Sequence, residues 1–314
     1  MFEQYMPQNF CRDYAEIQGS LQLPMFMAVI KGIKPMMDDW VPVQRYQEFK
    51  QICKKYKLYI RPNCIFKDVQ PSVIERTEGK EVLTTTKKEA FPFDLSAKDG
   101  AVHVYISNSK KIVDEAPRFG WYTMILDGAA VSNPLIDNLR FGLLLGYPRC
   151  CVQFFINDRQ GLNQLYEAYK NTAGEPSLYC NPMLIDFTYF LIHNFPCSFR
   201  CKATSKNARE LLKAIKEEEP EYAKKIEYHL KLPLLVFRIR DIIAFEGKIA
   251  NDELTYSNSY YLTHSDLGKA PYEKFKEGNR IKVTKEEIRI FRDEVLLHSI
   301  QKSREDNGFL LQFY

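Results

Sequence analysis

Four of the eight cysteines in this 314-residue chain fall into two short elements. The first pair is Cys150 and Cys151, the second is Cys197 and Cys201, and a proline precedes each pair. Proline favours the first turn of a helix, where the helix dipole stabilises negative charge. A thiol placed there has a lowered pKa, and the thiolate is the form that binds metal or attacks an electrophile. We therefore predict that the four sulfur atoms converge on one site.

The spacing within each pair restricts the centre that the sulfur atoms can hold. Cys197 and Cys201 are four residues apart and would share one face of a predicted helix, with Cβ atoms about 5 to 6 Å apart. Cys150 and Cys151 are adjacent, and adjacent helical side chains point about 100° apart, so both would reach one ion only from a non-helical backbone. An iron-sulfur cluster offers several metal corners, whereas a zinc ion needs all its ligands about 2.3 Å from one point.

Three kinds of chemistry are open to these four cysteines. The leading prediction is a [4Fe-4S] cluster held by three or four of them, with an open iron acting as a Lewis acid if one thiol stays unligated. The first alternative is a structural zinc ion, because two cysteine pairs supply its four ligands. The second is a metal-free thiol enzyme with Cys150 or Cys151 as the nucleophile.

The other cysteines are isolated along the chain. A free cysteine ordinarily acts as a small buried hydrophobe, and we expect that role here. The residues concerned are Cys11, Cys53, Cys64 and Cys180.

Three further side chains flank the predicted centre. Arg149 and Arg200 adjoin the cysteines and would contact an anionic substrate or the surroundings of the cluster, unless they are simply solvated. His193 precedes Cys197 by four residues, but Pro196 interrupts any helix between them. We expect His193 to cap or support the site and not to bind the metal.

The two cysteine elements resemble the signature of a poorly characterised family of archaeal and bacterial proteins. That family carries a Gly-Tyr-Pro-x-Cys-Cys turn, which residues 146–151 match. It also carries a His-x-Pro-Cys-Ser-x-x-Cys element followed by Thr or Ser and an Ala, which residues 193–201 resemble together with Thr204 and Ala208. The resemblance covers about residues 140–210 and implies no established reaction.

A looser similarity connects the adjacent cysteines to the metal-dependent epoxyqueuosine reductases. Those enzymes use vicinal cysteines as cluster ligands and leave one iron open to substrate. The similarity concerns the site and not the fold. It implies an enzyme that acts on a small molecule or nucleoside by sulfur transfer, desulfurisation or reduction. The alternative to catalysis is a zinc-stabilised module that binds RNA or a protein.

Composition and charge exclude several classes of protein. Lys and Arg number 44 against 40 Asp and Glu, and the resulting net charge of +4 permits but does not require a nucleic-acid partner. Eight cysteines are too sparse for a disulfide-built secreted scaffold, and the N-terminus lacks a secretory signal, so we expect a reducing cytoplasm. The strongly apolar stretches, such as Leu232 to Ile239, are too short to span a bilayer.

The predicted elements place the cysteines in a helical middle region. β-branched and aromatic runs predict two neighbouring strands, Val102–Ile106 and Trp121–Leu126, with a helix over Lys110–Ala116 after the first. Amphipathic spacing and proline starts predict the remaining helices. Their approximate bounds are 43–58, 133–145, 150–156, 181–192, 196–215, 221–230 and 284–299. Three short apolar runs at 234–237, 242–245 and 254–256 predict an antiparallel meander.

These elements predict an α+β protein, a helical cysteine-bearing core flanked by a small N-terminal α/β layer and a C-terminal antiparallel β meander. We expect an N-terminal α/β region over residues 1–130 and a helical metal-binding core over residues 131–232. A β-rich C-terminal region with a final helix is expected over residues 233–314.

Overall fold

The fold comes from a computed structural model of the chain. The structure describes residues 14, 17, 22–68, 88–119, 123–126, 129–132, 137–157, 164–184, 188–238, 241–261, 269–302 and 307–314. Four sequence predictions therefore lie wholly or partly outside the described residues. They concern Cys11, the strand start at Trp121, the helix start at Asn133-Pro134 and the middle of the helix predicted over 181–192.

Nine α-helices lie in the described part of the chain. They are α1 Leu23–Ile30, α2 Tyr46–Lys55, α3 Lys110–Glu115, α4 Asn138–Leu144, α5 Arg149–Asn157, α6 Gln164–Lys170, α7 Lys202–Glu218, α8 Pro220–Leu230 and α9 Lys269–Glu277. The predicted helices that correspond to α2, α3, α5 and α8 are confirmed. Within the described residues, no helix combines the length and apolarity that crossing a membrane requires.

Thirteen strands are seen in the described residues, and they pair into antiparallel sheets. They are β1 Met37–Pro42, β2 Tyr59–Asp68, β3 Lys88–Pro92, β4 Ala101–Ser107, β5 Thr123–Leu126, β6 Ala129–Ser132, β7 Leu234–Arg238, β8 Asp241–Ala250, β9 Glu253–Tyr261, β10 Arg280–Val283, β11 Glu287–Arg292, β12 Val295–Gln301 and β13 Phe309–Leu311. The mixture of helices and antiparallel sheets confirms the predicted α+β class.

The first of two compact units comprises Met1–Asn157 and Arg209–Pro220. Its four-stranded sheet has the order β1-β4-β2-β3, and β5 pairs with β6 in a separate two-stranded sheet. On one side of the four-stranded sheet, Tyr105 of β4 packs with residues that precede the first cysteine pair. The buried members of this cluster are Met36, Tyr105, Val113, Ala116, Phe141 and Leu145. The cluster thus anchors α4, the helix that leads into the first cysteine element.

The second unit comprises Asp158–Ala208 and Glu221–Tyr314. Its seven-stranded sheet has the order β12-β11-β10-β9-β8-β7-β13, so the predicted meander over β7, β8 and β9 is confirmed. A two-residue turn joins β8 to β9, and Asn251 adopts the left-handed conformation there with φ of 57°. The core of this sheet is apolar and includes Leu235, Ile243, Phe245, Phe275, Ile281 and Ile288.

Several element predictions are wrong. Residues predicted as a helix over Thr284–Ser299 form β11 and β12, because Ile288 and Ile290 alternate toward the sheet core while Arg289 faces outward. No helix occurs in the described residues of 181–192, where only the short 3-10 turn Leu178–Cys180 precedes them. The strand β5 pairs with β6 and is not a neighbour of β4. The division at residues 130 and 232 stays a prediction.

Candidate metal centre

Four cysteine sulfur atoms come together as the sequence predicts. The ligand atoms of Cys150, Cys151, Cys197 and Cys201 all lie within 4.8 Å of one another, so the group could hold a metal ion. Cys151 and Cys201 are only 1% and 7% exposed, Cys197 is partly buried and Cys150 is exposed. The seven cysteines that the structure describes are not linked by disulfides. Convergence of the two elements is therefore confirmed.

The first cysteine pair lies in the opening turn of α5. The N–H groups of Cys151 and Val152 donate to the carbonyl oxygen of Pro148 at 2.9 and 3.0 Å. The sulfur atoms of Cys150 and Cys151 are 4.0 Å apart although both residues are helical. The expectation that adjacent cysteines need a non-helical backbone is therefore wrong, because the two sulfurs lie close together in the first turn of a helix.

A glycine turn ends α4 and directs the chain into α5. Gly146 has a φ of 73°, its N–H donates to Leu143, and the N–H of Tyr147 donates to Gly142. This pair of bonds is a Schellman motif, in which glycine supplies the left-handed residue without steric cost. A Cβ on Gly146 would lie 2.8 Å from Cδ of Pro35, which is too close for any real side chain. The turn that presents the first cysteine pair is therefore fixed by its packing on Pro35.

Two further contacts hold this turn. A Cβ on Gly142 would lie 2.8 Å from Cγ2 of Val152, so α4 and α5 pack at a distance that only glycine allows. The ammonium of Lys34 lies 4.5 Å from the ring centre of Tyr147, a cation–π geometry. Lys34 is only 8% exposed, and burial lowers its pKa to about 7 although attraction to Asp38 opposes the shift. A titratable amine thus packs against the turn that carries the cysteines.

The second cysteine pair lies outside any helix. Cys197 is in an irregular loop, and Cys201 directly precedes α7, where its carbonyl accepts the N–H of Ser205 at 2.9 Å. The prediction of a helix starting at Pro196 is therefore wrong by six residues, since α7 starts at Lys202. Cys201 occupies the N-cap position, so its sulfur still lies at the electropositive start of a helix.

Side chains distant in the sequence hold this loop. The hydroxyl of Thr172 accepts the N–H of Phe199 at 2.8 Å and donates to the carbonyl of Ala168 at 2.7 Å. The amide of Asn171 donates to the carbonyl of Cys197 at 3.3 Å. The ring of Phe199 is fully buried against Phe313, with ring centres 5.1 Å apart. Residues before and far after the loop therefore fix its backbone.

Cys180 supports the second pair and was not singled out by the sequence. Its sulfur is fully buried, 3.5 Å from the carbonyl oxygen of Cys201 and 3.2 Å from the hydroxyl of Ser205. It thereby contacts both ends of the first hydrogen-bonded turn of α7. No sequence pattern marks this role, because Cys180 is isolated and follows the ordinary expectation of a buried cysteine.

The three flanking side chains differ in their surroundings. Arg200 donates from Nη1 to the carbonyl of Ala173 at 2.8 Å, so it braces the loop between α6 and the second cysteine pair. Arg149 is exposed at the first residue of α5. His193 is partly buried with its ring 5.9 Å from that of Phe190, and it is not a member of the cysteine group. Their predicted roles toward a substrate or cluster stay predictions.

Cys53 and Cys64 are not members of this group. Cys53 and Cys64 are in the first unit, and burial raises the pKa of each thiol to about 12. They are protonated near neutral pH and act as small apolar side chains, as the sequence indicates.

The fold and the site together define an α+β protein with a four-cysteine group that could hold a metal. The chain is similar to a family described as a protein of unknown function, DUF483, whose family model matches residues 123–231. The matched segment includes all four cysteines of the group. Comparison with curated proteins and with solved structures gives no match.

Proposed function

We propose that this protein binds one zinc ion through Cys150, Cys151, Cys197 and Cys201. The proposal rests on the distances between the four ligand atoms, which all lie within 4.8 Å of one another. Tetrahedral thiolates about 2.3 Å from zinc stand about 3.8 Å from one another. The 4.0 Å between the sulfurs of Cys150 and Cys151 is close to that value, and the longest distance requires a contraction of about 1 Å.

The same distances fit an iron-sulfur cluster less well. In a [4Fe-4S] cluster each thiolate binds a different iron corner, which holds the thiolate sulfurs roughly 6 Å apart. The cysteine group would have to expand in every direction to admit it. Cys151 and Cys201 are buried, so this expansion would displace packed surroundings. A mononuclear ion therefore has the better support, and zinc is the common ion for four thiolates.

The charge of the proposed site is partly balanced by its surroundings. Four thiolates and one zinc ion carry a net charge of about −2. Cys150 and Cys151 lie in the first turn of α5, and Cys201 caps the 17-residue helix α7, so two positive helix ends adjoin the sulfurs. Arg149, Arg200 and Lys202 add positive side chains next to the cysteines in sequence.

Metal and sulfide analysis of the anaerobically purified full chain tests the proposal. We expect one zinc per chain, no acid-labile sulfide, and an X-ray absorption spectrum with four sulfurs about 2.3 Å from the metal. Four irons and four sulfides per chain in a brown protein would show that the site holds the cluster and not zinc. If the reduced, metal-free chain did not take up zinc, no metal site would be present, and the metal-free thiol enzyme would be the remaining hypothesis.

Removal of the metal gives a second test. Zinc that binds only the folded chain stabilises it by about 2.7 kcal/mol when free zinc exceeds its Kd 100-fold. We therefore expect chelation to lower the unfolding temperature, and zinc but not magnesium to restore it.

Sulfur transfer, desulfurisation or reduction of a small molecule or nucleoside stays a prediction tied to the cluster. Binding of RNA or a protein, and a cytoplasmic location, likewise stay predictions.

A further inference from the structure

The solvent side of α7 carries a regular row of basic side chains. Each follows the last by four or three residues, the spacing that places side chains on one face of a helix. All of them are exposed, and we call them the α7 basic row: Lys202, Lys206, Arg209, Lys213 and Lys216. At 1.5 Å per residue the row extends over about 21 Å. It is therefore a line of positive charge along one continuous helix.

Lysines of this row differ from those of other helices in their ion pairs. In four other helices a lysine pairs with a carboxylate three or four residues away: Lys110 with Asp114, Lys170 with Glu167, Lys224 with Glu221 and Lys276 with Glu273. In the described part of the chain, no carboxylate pairs with Lys206 or Lys213. A glutamate nevertheless follows each of them by four residues, a spacing that allows pairing. Both ammonium groups therefore remain available to an anion in solution.

The other residues of α7 indicate which anion fits. A helix that lies on a membrane inserts its apolar side chains into the lipid. The apolar side chains of α7 are instead buried within the protein, among them Ala208, Leu211, Leu212 and Ile215. Protein interfaces are enriched in aromatic residues and depleted in lysine, and α7 contains no aromatic residue. The row therefore suits a polyanion that is bound through its charge.

We infer that the α7 basic row binds the phosphodiester backbone of a double-stranded nucleic acid without reading its sequence. Over about 21 Å of axis, each strand of a B-form duplex presents roughly six phosphates, which is close to the five cations of the row. Neutralised phosphates release their counterions, and this release drives binding. Proteins that bind single strands stack the bases on aromatic side chains, which α7 lacks. The inference does not depend on the proposed zinc ion.

Fluorescence anisotropy with labelled duplexes tests this inference on the full chain. The probes are a DNA duplex and an RNA duplex of one arbitrary sequence, each about 20 base pairs long, so that both exceed the length of the row. We expect a Kd of about 1 to 100 µM near physiological salt, and an affinity for DNA that falls with salt with a logarithmic slope of about −3 to −5. Binding of either duplex supports the inference and identifies its source. Binding of neither would overturn it.

A matched pair of variants locates the binding surface. The double variant Lys206→Gln, Lys213→Gln should lower the affinity at least about tenfold at low salt and reduce the slope for DNA by about 2. The double variant Lys50→Gln, Lys54→Gln removes the same charge from exposed positions of α2 and should bind as the wild type does. Glutamine forms helices nearly as well as lysine, so both variants should keep the circular dichroism of the wild type.

Two outcomes of this comparison would contradict the inference. Equal losses in the two double variants would show that only the net charge of the protein matters. Binding to vesicles that contain phosphatidylserine, without binding to either duplex, would assign the row to a membrane. Zinc analysis of every sample is a separate readout, and both variants should hold as much zinc as the wild type. Failure of this inference would therefore leave the proposed zinc site untouched, and a chain without zinc could still bind the duplex.

Discussion

The two cysteine elements share a sequence pattern but are built in different ways. The first is a turn between two helices. It is fixed by Gly142 and Gly146, where the side chains of Val152 and Pro35 lie too close for a Cβ atom. The second is an irregular loop, fixed by hydrogen bonds from Thr172 and Asn171 to its backbone. A proline followed by two cysteines therefore indicates a site but does not determine the local backbone. Packing specifies the first element, and polar contacts specify the second.

The largest expected effect comes from removing one buried ligand from either element. Cys151→Ala and Cys201→Ala should each weaken zinc binding by more than about 100-fold, since even a change to a group that only supports a ligand costs 10 to 100-fold. Competition with a chromophoric chelator measures the affinity. Cys64→Ala should bind zinc as the wild type does. If only one of the two ligand variants lost zinc, the elements would not share one ion.

The glycine turn of the first element gives the next largest effect. Gly146→Ala should lower the free energy of unfolding by about 2 to 4 kcal/mol, because alanine is strained at positive φ and its Cβ meets Pro35. Gly32→Ala is a matched control with a similar φ of 69°, where the nearest atom would be 3.6 Å away. Urea unfolding compares the two. Equal losses would show that the contact with Pro35 contributes nothing.

The buried lysine beside the first element predicts a pH dependence. Its pKa is about 7 in the folded chain against 10.5 as the ordinary value, so the unfolded chain binds more protons between these values. Stability should therefore rise with pH from 7 to 9, by at most about 1.4 kcal/mol per pH unit. Above pH 9 the raised pKa values of Cys53 and Cys64 act in the opposite direction, since these thiols ionise first in the unfolded chain.

The variant Lys34→Met isolates this contribution. It keeps a long side chain against Tyr147 but removes the titrating amine, so the difference in stability from the wild type should shrink between pH 7 and pH 9. Urea unfolding at the two pH values measures it. A difference that stayed constant with pH would contradict the lowered pKa.

The smallest effect is expected in the loop of the second element. Thr172→Val has the same shape but loses the bonds to Phe199 and Ala168, which should cost about 1 to 2 kcal/mol. Thr255→Val, at an exposed position of β9, should change stability by less than about 0.5 kcal/mol. Thermal unfolding measures both. A cost at Thr172 no larger than at Thr255 would show that the hydroxyl does not fix the loop.

Local patterns predicted much of the fold. Three short apolar runs predicted the meander, and the amphipathic stretch after Glu219 predicted α8. The same reasoning was wrong for residues 284–299, whose apolar spacing suits both periods over a short window. These residues form strands and not a helix because β10 pairs with β11 along four residues and because the chain turns at Asp293, which has a φ of 53°.

The candidate site was predictable in its residues but not in its geometry. Residue type and proline placement marked the four cysteines, because thiolates favour helix starts wherever the chain provides them. The start of α7 at Lys202 and not at Pro196 depends on Thr172, which binds the backbone of Phe199 from 27 residues away. Sequence patterns within a short window do not predict a contact between residues this far apart.

The sequence by itself determined the α+β class and the set of sulfur atoms that meet, since both follow from residue type and periodicity. The tertiary structure alone decided the distances between those sulfurs and which of them is exposed. Distances of this kind depend on how distant segments pack, as Gly146 packs on Pro35 and Phe199 on Phe313. Packing is the sum of many weak contacts between residues that are far apart in the chain. No short segment of the sequence therefore predicts it.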